Sequence, residues 1–349
     1  MKTLKKILYA LAALVIIFIL FLLFSTITKY RPEPLTPISE NNYADTIHPG
    51  TLLRGMIWNI GYGGLSRDMD FFYDGGKQVR TSKEQTLNNL DHIFSQLQEA
   101  DSIDFFLLQE IDKKSKRSYR IDQVERVYDF LPDYKFYFAS NYKVHFVPTP
   151  PLKPLGKVDA GLVTASLPSP KKVTRHSFPG NYGWPVNLFM LERCFLVNRY
   201  PVSNGKELLV MNTHNSAYDD GSLKKQQMEY LKNFLMNEYQ KGNYILVGGD
   251  WNQNPPENIY AQKNYADKKY PMTSIEADYL PDGWQWIADP ETPTNRYLDQ
   301  PYEKGKTQTT VIDFFLASPN IKIKHIKTID YNFENSDHQP VICNFSLMP

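Results

Sequence analysis

The chain has 349 residues, 42% of them hydrophobic and 14% aromatic, enough to bury a substantial core as one large α/β domain or as two smaller ones. Lys plus Arg (39) nearly balances Asp plus Glu (38), so the formal net charge is +1; this argues against a life of non-specific nucleic-acid binding and leaves only a local basic patch open. Cys194 and Cys343, the only cysteines, rule out a zinc motif and a disulfide framework, with two buried free thiols expected and an extracellular pair the alternative.

The first predicted element is a membrane segment. After Lys2, Lys5 and Lys6, residues 7–24 are apolar and uncharged, and as a helix they span roughly 27 Å, close to the hydrocarbon thickness of a bilayer. The run ends in Phe24-Ser25-Thr26-Ile27-Thr28 with no small-residue cleavage pattern, so residues 1–28 are expected to be an uncleaved signal anchor, with a cleaved signal as the alternative. Three lysines before the run against Lys29 and Arg31 after it place the N-terminus in the cytoplasm and the remainder outside. Pro32, Pro34 and Pro37 make residues 29–50 a stiff, extended spacer. The folded domain is then expected over 51–349.

Within it, short apolar or β-branched runs bounded by turn residues predict strands at 52–59, 104–109, 134–139, 160–165, 191–198, 208–213, 244–248, 310–317, 321–329 and 341–345. Helices are predicted at 82–98, with a capping box from Thr81 to Glu84, and at 223–239. Their stripes Leu87, Leu90, Phe94, Leu97 and Leu223, Met228, Leu231, Leu235 read as core contacts. Many strands with few long helices predict two packed, mostly antiparallel sheets flanked by helices, a four-layer α/β (α+β) sandwich preceded by one N-terminal transmembrane helix.

Acids, amides and histidines recur where those strands end. Met56-Ile57-Trp58-Asn59 closes on an amide, Leu107-Leu108-Gln109-Glu110 on a carboxylate, and Met211-Asn212-Thr213-His214 on a histidine. Leu246-Val247-Gly248-Gly249-Asp250-Trp251-Asn252 ends on Asp-x-Asn, which sets Asp250 and Asn252 on one side of an extended chain. Asp313 is embedded in an apolar strand, where it must find a partner or shift its pKa. Asp337 and His338 stand side by side before the last strand. Phosphoester hydrolysis calls for such groups: hard oxygen donors for a divalent cation, a group to orient or deprotonate water, and a donor to the charged oxygens.

The ordered set WN, QE, NTH, GDWN, IDFF and SDHQPV resembles the endonuclease/exonuclease/phosphatase superfamily, with its DNase I-like fold, over about residues 51–349. The resemblance implies a Mg²⁺-dependent phosphoesterase, with Mn²⁺ a possible substitute. Glu110 would be the main metal ligand, with Asn59 beside it and Asp337 completing or supporting the site. Asp250 would orient the attacking water and Asn252 would hold a phosphoryl oxygen. His338, its ring fixed by Asp313, and His214 would face the phosphate. A phosphodiesterase acting on lipid head groups or other extracytoplasmic phosphoesters is the leading reading, with the substrate open among lipid, nucleotide and nucleic acid and a monomer expected. The rivals are a membrane-anchored nuclease, an inactive binding module on the same fold, and a structural membrane protein without a site.

Other signals are less specific. Gly61–Gly64 and Asp74–Gly76 are either plain turns or the flanks of a substrate loop. Arg193 reads as a structural ion-pair partner before a phosphate contact. Lys113, Lys114, Lys116, Arg117 and Arg120 read as a solvated face, or else as a grip on a polyanion or an anionic membrane. Thr294, Asn295 and Arg296 correspond loosely to a substrate-contacting loop of the family.

Overall fold

Strands buried on both faces read as continuous apolar runs, whereas one-sided strands alternate. The computed structural model, which describes every residue except 101, 218, 220 and 257–271, follows that distinction. In chain order the elements are α1 (Lys2–Ile27), β1 (Leu35–Glu40), β2 (Leu53–Asn59), α2 (Lys83–Glu99), β3 (Phe105–Asp112), α3 (Gln123–Phe130), β4 (Lys135–Val147) and β5 (Gly156–Ser166). There follow β6 (Lys172–Ser177), β7 (Cys194–Pro201), β8 (Glu207–His214), α4 (Ser222–Gln240), β9 (Tyr244–Asp250), β10 (Gln285–Ile287), β11 (Asn295–Arg296), β12 (Thr309–Thr310), β13 (Asp313–Ala317), β14 (Ile321–Thr328) and β15 (Val341–Leu347).

One sheet has the order β14-β15-β2-β3-β5-β4 and the other β1-β6-β7-β8-β9-β13-β10. Each holds one parallel pair, β2 with β3 and β8 with β9, among otherwise antiparallel neighbours. A parallel pair needs a crossover, and here α2 and α4 supply it on the outer faces. Side-chain parity then sorts the core. Ile57, Leu107, Val210, Leu246 and Phe315 point between the sheets. Met56, Trp58, Phe106 and Leu108 point out to Leu90, Phe94 and Leu97 of α2, and Leu209, Met211 and Val247 to Leu231 and Leu235 of α4. The expected four-layer sandwich is what results. Gly248 allows the sheets to close near the site, because a Cβ there would lie 2.6 Å from Ile57 Cγ2 and from Phe315 Cε1.

Several details differ from the expectations. The 29–50 segment is not solely a spacer: β1 pairs with β6 at the edge of the larger sheet. Proline is tolerated there because an edge strand has one unpaired side, and the register shifts between Pro37 and Ser39. The α2 cap is Ser82, whose side chain accepts from the Gln85 N–H, so the box begins one residue later than Thr81. Strand β6 and helix α3 were not anticipated. Cys194 and Cys343 are free and buried. Helix α1 has no buried residue and is long and apolar enough to cross a membrane.

Candidate active site

The parallel pairs bring their C-terminal ends to one edge of the sandwich, and the polar residues collect there. Asn59 ends β2, His214 ends β8 and Asp250 ends β9. In the sheet register Asp250 lies opposite His214 on one side and Asp313 on the other. Its Oδ2 accepts from Asn59 Nδ2 at 3.0 Å and lies 3.4 Å from His214 Nε2, while its Oδ1 accepts from the Asn252 backbone N–H at 2.9 Å. Burial pushes the Asp250 carboxyl up to about 7, with nearby His338 opposing and Asp313 adding to the rise. Burial, then Arg193 and His338, hold His214 well below the ordinary imidazole range, so that ring is neutral.

His338 is tied in place from three directions. Its Nδ1 lies 2.8 Å from Asp313 Oδ2, its carbonyl accepts from Trp58 Nε1 at 3.0 Å, and its backbone N–H donates to Ser336 Oγ at 3.2 Å. Ser336 Oγ in turn donates to the Asn59 carbonyl at 2.9 Å, knitting the first and last motifs together. Burial pulls the imidazole pKa down, but the carboxylates of Asp313 and Asp337 prevail and hold it up at about 10. The two carboxylates thus favour the imidazolium, and the Asn295 side-chain amide, which meets an Nε2–H with its oxygen once its two ends are exchanged, stands 3.0 Å from Nε2.

Glu110 owes its direction to a bulge. The β3–β5 register shifts between Leu108 and Ile111, and Glu110 itself has φ of 54°. A non-glycine residue with positive φ is uncommon, and bulges of this kind re-aim a side chain. Arg117 Nη2 lies 3.6 Å from Glu110 Oε2. The Arg117 guanidinium stacks 3.8 Å from the Tyr62 ring centroid and grips the fully buried Asp112, with Nη2 to Oδ1 at 2.9 Å and Nε at 3.2 Å from both oxygens.

Two groupings of these residues suit a cation. Asp250, Asp313 and His338 place ligand atoms within 4.8 Å of one another, but that imidazole is already charged and occupied by Asp313. Glu110 and Asp337 offer a second set of hard oxygen donors. Burial lifts Asp337 to about 6, with His338 opposing and Glu110 adding to the rise, so a cation between the two carboxylates would relieve their repulsion. Gly61 leaves room for this: a Cβ there would sit 2.8 Å from Asp337 Oδ1. Asn59 Oδ1 accepts from the Gly61 N–H at 3.0 Å and keeps one lone pair.

A family model described as "Endonuclease/Exonuclease/phosphatase family" matches residues 56–338, a span that begins just before Asn59 and ends on His338. The chain belongs to the endonuclease/exonuclease/phosphatase family. Members of that family are phosphoester hydrolases and are typically divalent-metal dependent. No curated protein sequence matches significantly. Among solved structures, a family member from Beutenbergia cavernae DSM 12333 is similar with TM-score 0.58 and 17% identity over 85% of this chain and 72% of that one. One from Bacteroides vulgatus gives 0.54 and 14% over 85% and 99%. ANGEL2, described as a 2′,3′-cyclic phosphatase, gives 0.55 and 15% over 85% and 96%. At such identities the likeness establishes the fold.

In this endonuclease/exonuclease/phosphatase chain, all eight residues singled out in the sequence lie at one edge, and Glu110, His214, Asp250, Asn252, Asp337 and His338 line one 450 Å³ cavity. Sequence reasoning undervalued others. Arg117 is buried and central, not part of a solvated face; of that run, Lys114 and Arg120 are exposed, and Lys113 Nζ lies 4.3 Å over the Phe138 ring. Thr294 Oγ1 accepts the Asp313 N–H at 3.0 Å, and buried Arg296 donates to the Ser66 and Met69 carbonyls, so the loosely matched 294–296 loop frames the site. Tyr62, Tyr73 and Asp74, from the glycine-flanked loop, also line the cavity.

Proposed function

We propose that this protein is a phosphodiesterase that works with Mg²⁺, or Mn²⁺ in its place, held by Glu110, Asp337 and Asn59, and that α1 anchors it with the N-terminus cytoplasmic and the catalytic domain outside. The observation that carries the reading is the junction at Asp250, where a carboxylate near neutrality stands between a neutral His214 and the Asp313–His338 ion pair. A bound divalent cation would offset charge on the phosphoryl oxygens and on the departing oxygen. Asp250 orients water and accepts its proton, the task for which a carboxyl near the working pH is suited. Water oxygen adds to phosphorus in line, one P–O ester bond breaks, and the departing oxygen takes a proton from solvent to leave as an alcohol, while the water's proton passes to Asp250 and from there to solvent. His338 donates its Nε2–H to a phosphoryl oxygen, with Asp313 compensating the ring's charge. Neutral His214 offers a second donor. Asn252, whose amide donates to the Asn215 carbonyl at 3.0 Å, keeps one N–H for a phosphoryl oxygen.

The test uses the detergent-solubilised full chain with bis(p-nitrophenyl) phosphate, p-nitrophenyl phosphate and single-stranded DNA. The diester should be cleaved, EDTA should abolish turnover, and Mg²⁺ or Mn²⁺ should restore it. Glu110→Gln should chiefly raise the Mg²⁺ requirement, so added metal recovers part of the rate. Full activity in excess chelator refutes the reading, and a preference for DNA makes the protein an anchored nuclease.

A further inference from the structure

The chemistry proposed above uses the polar half of the cavity. The other half is an apolar wall of Leu155 and Tyr142, from β4 and the turn into β5, with Val186, Met190 and Leu191 from the 178–193 loop. The same two segments hold large apolar side chains in solvent: Phe146 is 39% exposed, Leu152 97%, Trp184 62% and Val186 50%. Such residues scattered singly mean nothing, but gathered beside a cleft they mark a face that something covers.

Helix α1 indicates what covers it. Phe21 stacks on Phe189 with centroids 5.7 Å apart and meets Phe146 edge-on at 6.0 Å. Trp184 Nε1 donates to Thr26 Oγ1 at 3.2 Å, and Lys29 Nζ pairs with Glu192 at 2.8 Å. Phe21 lies three residues inside the uncharged run that ends at Phe24, roughly 4.5 Å along the helix axis. Segments that touch Phe21 cannot stand clear of a bilayer that α1 spans. Their tips must reach the head-group–acyl boundary, where Trp and Phe are stable. Lys143, whose Nζ lies 5.6 Å over the Tyr30 ring, then sits at the level of the lipid phosphates, as does Arg31.

We propose that this face is seated in the membrane that α1 spans, and that the cleft draws its substrate from that membrane. The substrate is a lipid phosphodiester, with its phosphate at the Asp250–His338 end and its apolar part along the Leu155, Val186 and Met190 wall. The proposal rests on the anchored-phosphodiesterase reading above, and its hydrolysis is the P–O cleavage already described.

The full-length protein is reconstituted into vesicles of equal parts phosphatidylethanolamine and phosphatidylglycerol, with and without acyl-chain-brominated lipid. The fluorescence that Trp184→Phe removes isolates the share of Trp184, and bromine should quench that share by about half or more. Protein that floats with the vesicles but leaves Trp184 unquenched overturns this proposal; protein that does not float overturns the anchoring itself. Turnover is then measured as phosphate-containing product released from the vesicle lipid, beside bis(p-nitrophenyl) phosphate in solution. Leu152→Asp combined with Trp184→Asp should lower lipid turnover about tenfold or more and leave the soluble diester within about twofold. Equal losses on both substrates, or wild-type cleavage of the soluble diester alone, overturn the lipid assignment. Wild-type protein inert on both overturns the phosphodiesterase reading, and quenching still decides the membrane face.

Discussion

The ion pair between Asp313 and His338 offers the sharpest test of how this site works. Both side chains are buried and 2.8 Å apart, and Asp313 has its other oxygen buried without a hydrogen-bond partner. Asp313→Asn keeps the shape and removes the charge. What is lost is the charge-assisted hydrogen bond between carboxylate and ring, worth about 1.5–3 kcal/mol. Converted at about 1.4 kcal/mol per decade, kcat should fall roughly 10- to 150-fold. His338→Ala removes the donor itself and should cost about 10²- to 10⁴-fold. Because Asp313 acts through the ring, the double variant should be no slower than His338→Ala alone, leaving a coupling energy equal to the whole Asp313→Asn effect. The assay is kcat at saturating bis(p-nitrophenyl) phosphate on the full chain, with thermal midpoints recorded in parallel because Asp313 lies in an apolar strand. Folded variants with multiplying losses refute the coupling, and folded variants at the wild-type rate remove the pair from the mechanism.

Two further predictions concern the frame. Arg117→Met strips buried Asp112 of its guanidinium and leaves it the Ser118 hydroxyl at 2.7 Å; the domain should lose about 3–5 kcal/mol, and adding Asp112→Leu should restore most of that, as denaturant midpoints will report. His176 is pushed down to about 4 by burial first and by the Arg199 charge second, its ring stacked 4.8 Å from that of Phe195. The folded pKa lies below the unfolded value near 6.5, so the unfolded chain binds the proton first; stability is complete above pH about 6.5 and falls by about 3 kcal/mol as pH drops to about 4. Midpoints of His176→Phe, which keeps the stack, should fall less steeply over that window; parallel curves for the two proteins refute the assignment.

The central strands were legible because burial on both faces leaves an unbroken apolar run, as in Leu246-Val247 or Phe314-Phe315-Leu316. Strand β6 was not, since Lys-Val-Thr-Arg-His-Ser has no such run; its Arg175 is buried with its guanidinium donating to the Ser140 and Glu192 carbonyls and to the Ser177 hydroxyl. Helix α3 did carry a signal, the Asp122 side chain accepting from the Glu125 N–H three residues on, but eight residues give little periodicity. The site residues were legible as types at strand ends. What no string of residues announces is the bulge that turns Glu110, or the inward course of Arg117, because both depend on contacts between distant elements.

The geometry also explains why these residues must come from so many strands. A parallel pair directs both of its C-terminal ends to one edge, so β2 with β3 and β8 with β9 each deliver two polar termini where no crossover covers them. Packing the two sheets face to face sets Asn59 against Asp250 across the interface, joined at 3.0 Å. Antiparallel β13 runs back beside β9, so that it opens on Asp313 at the edge where β9 ends on Asp250. The result is a cluster of carboxylates that no single sheet could assemble, two of them pushed upward by burial. Such a cluster is unfavourable unless a cation or a proton compensates it. The apolar packing on the outer faces of both sheets stabilises the scaffold enough to hold it.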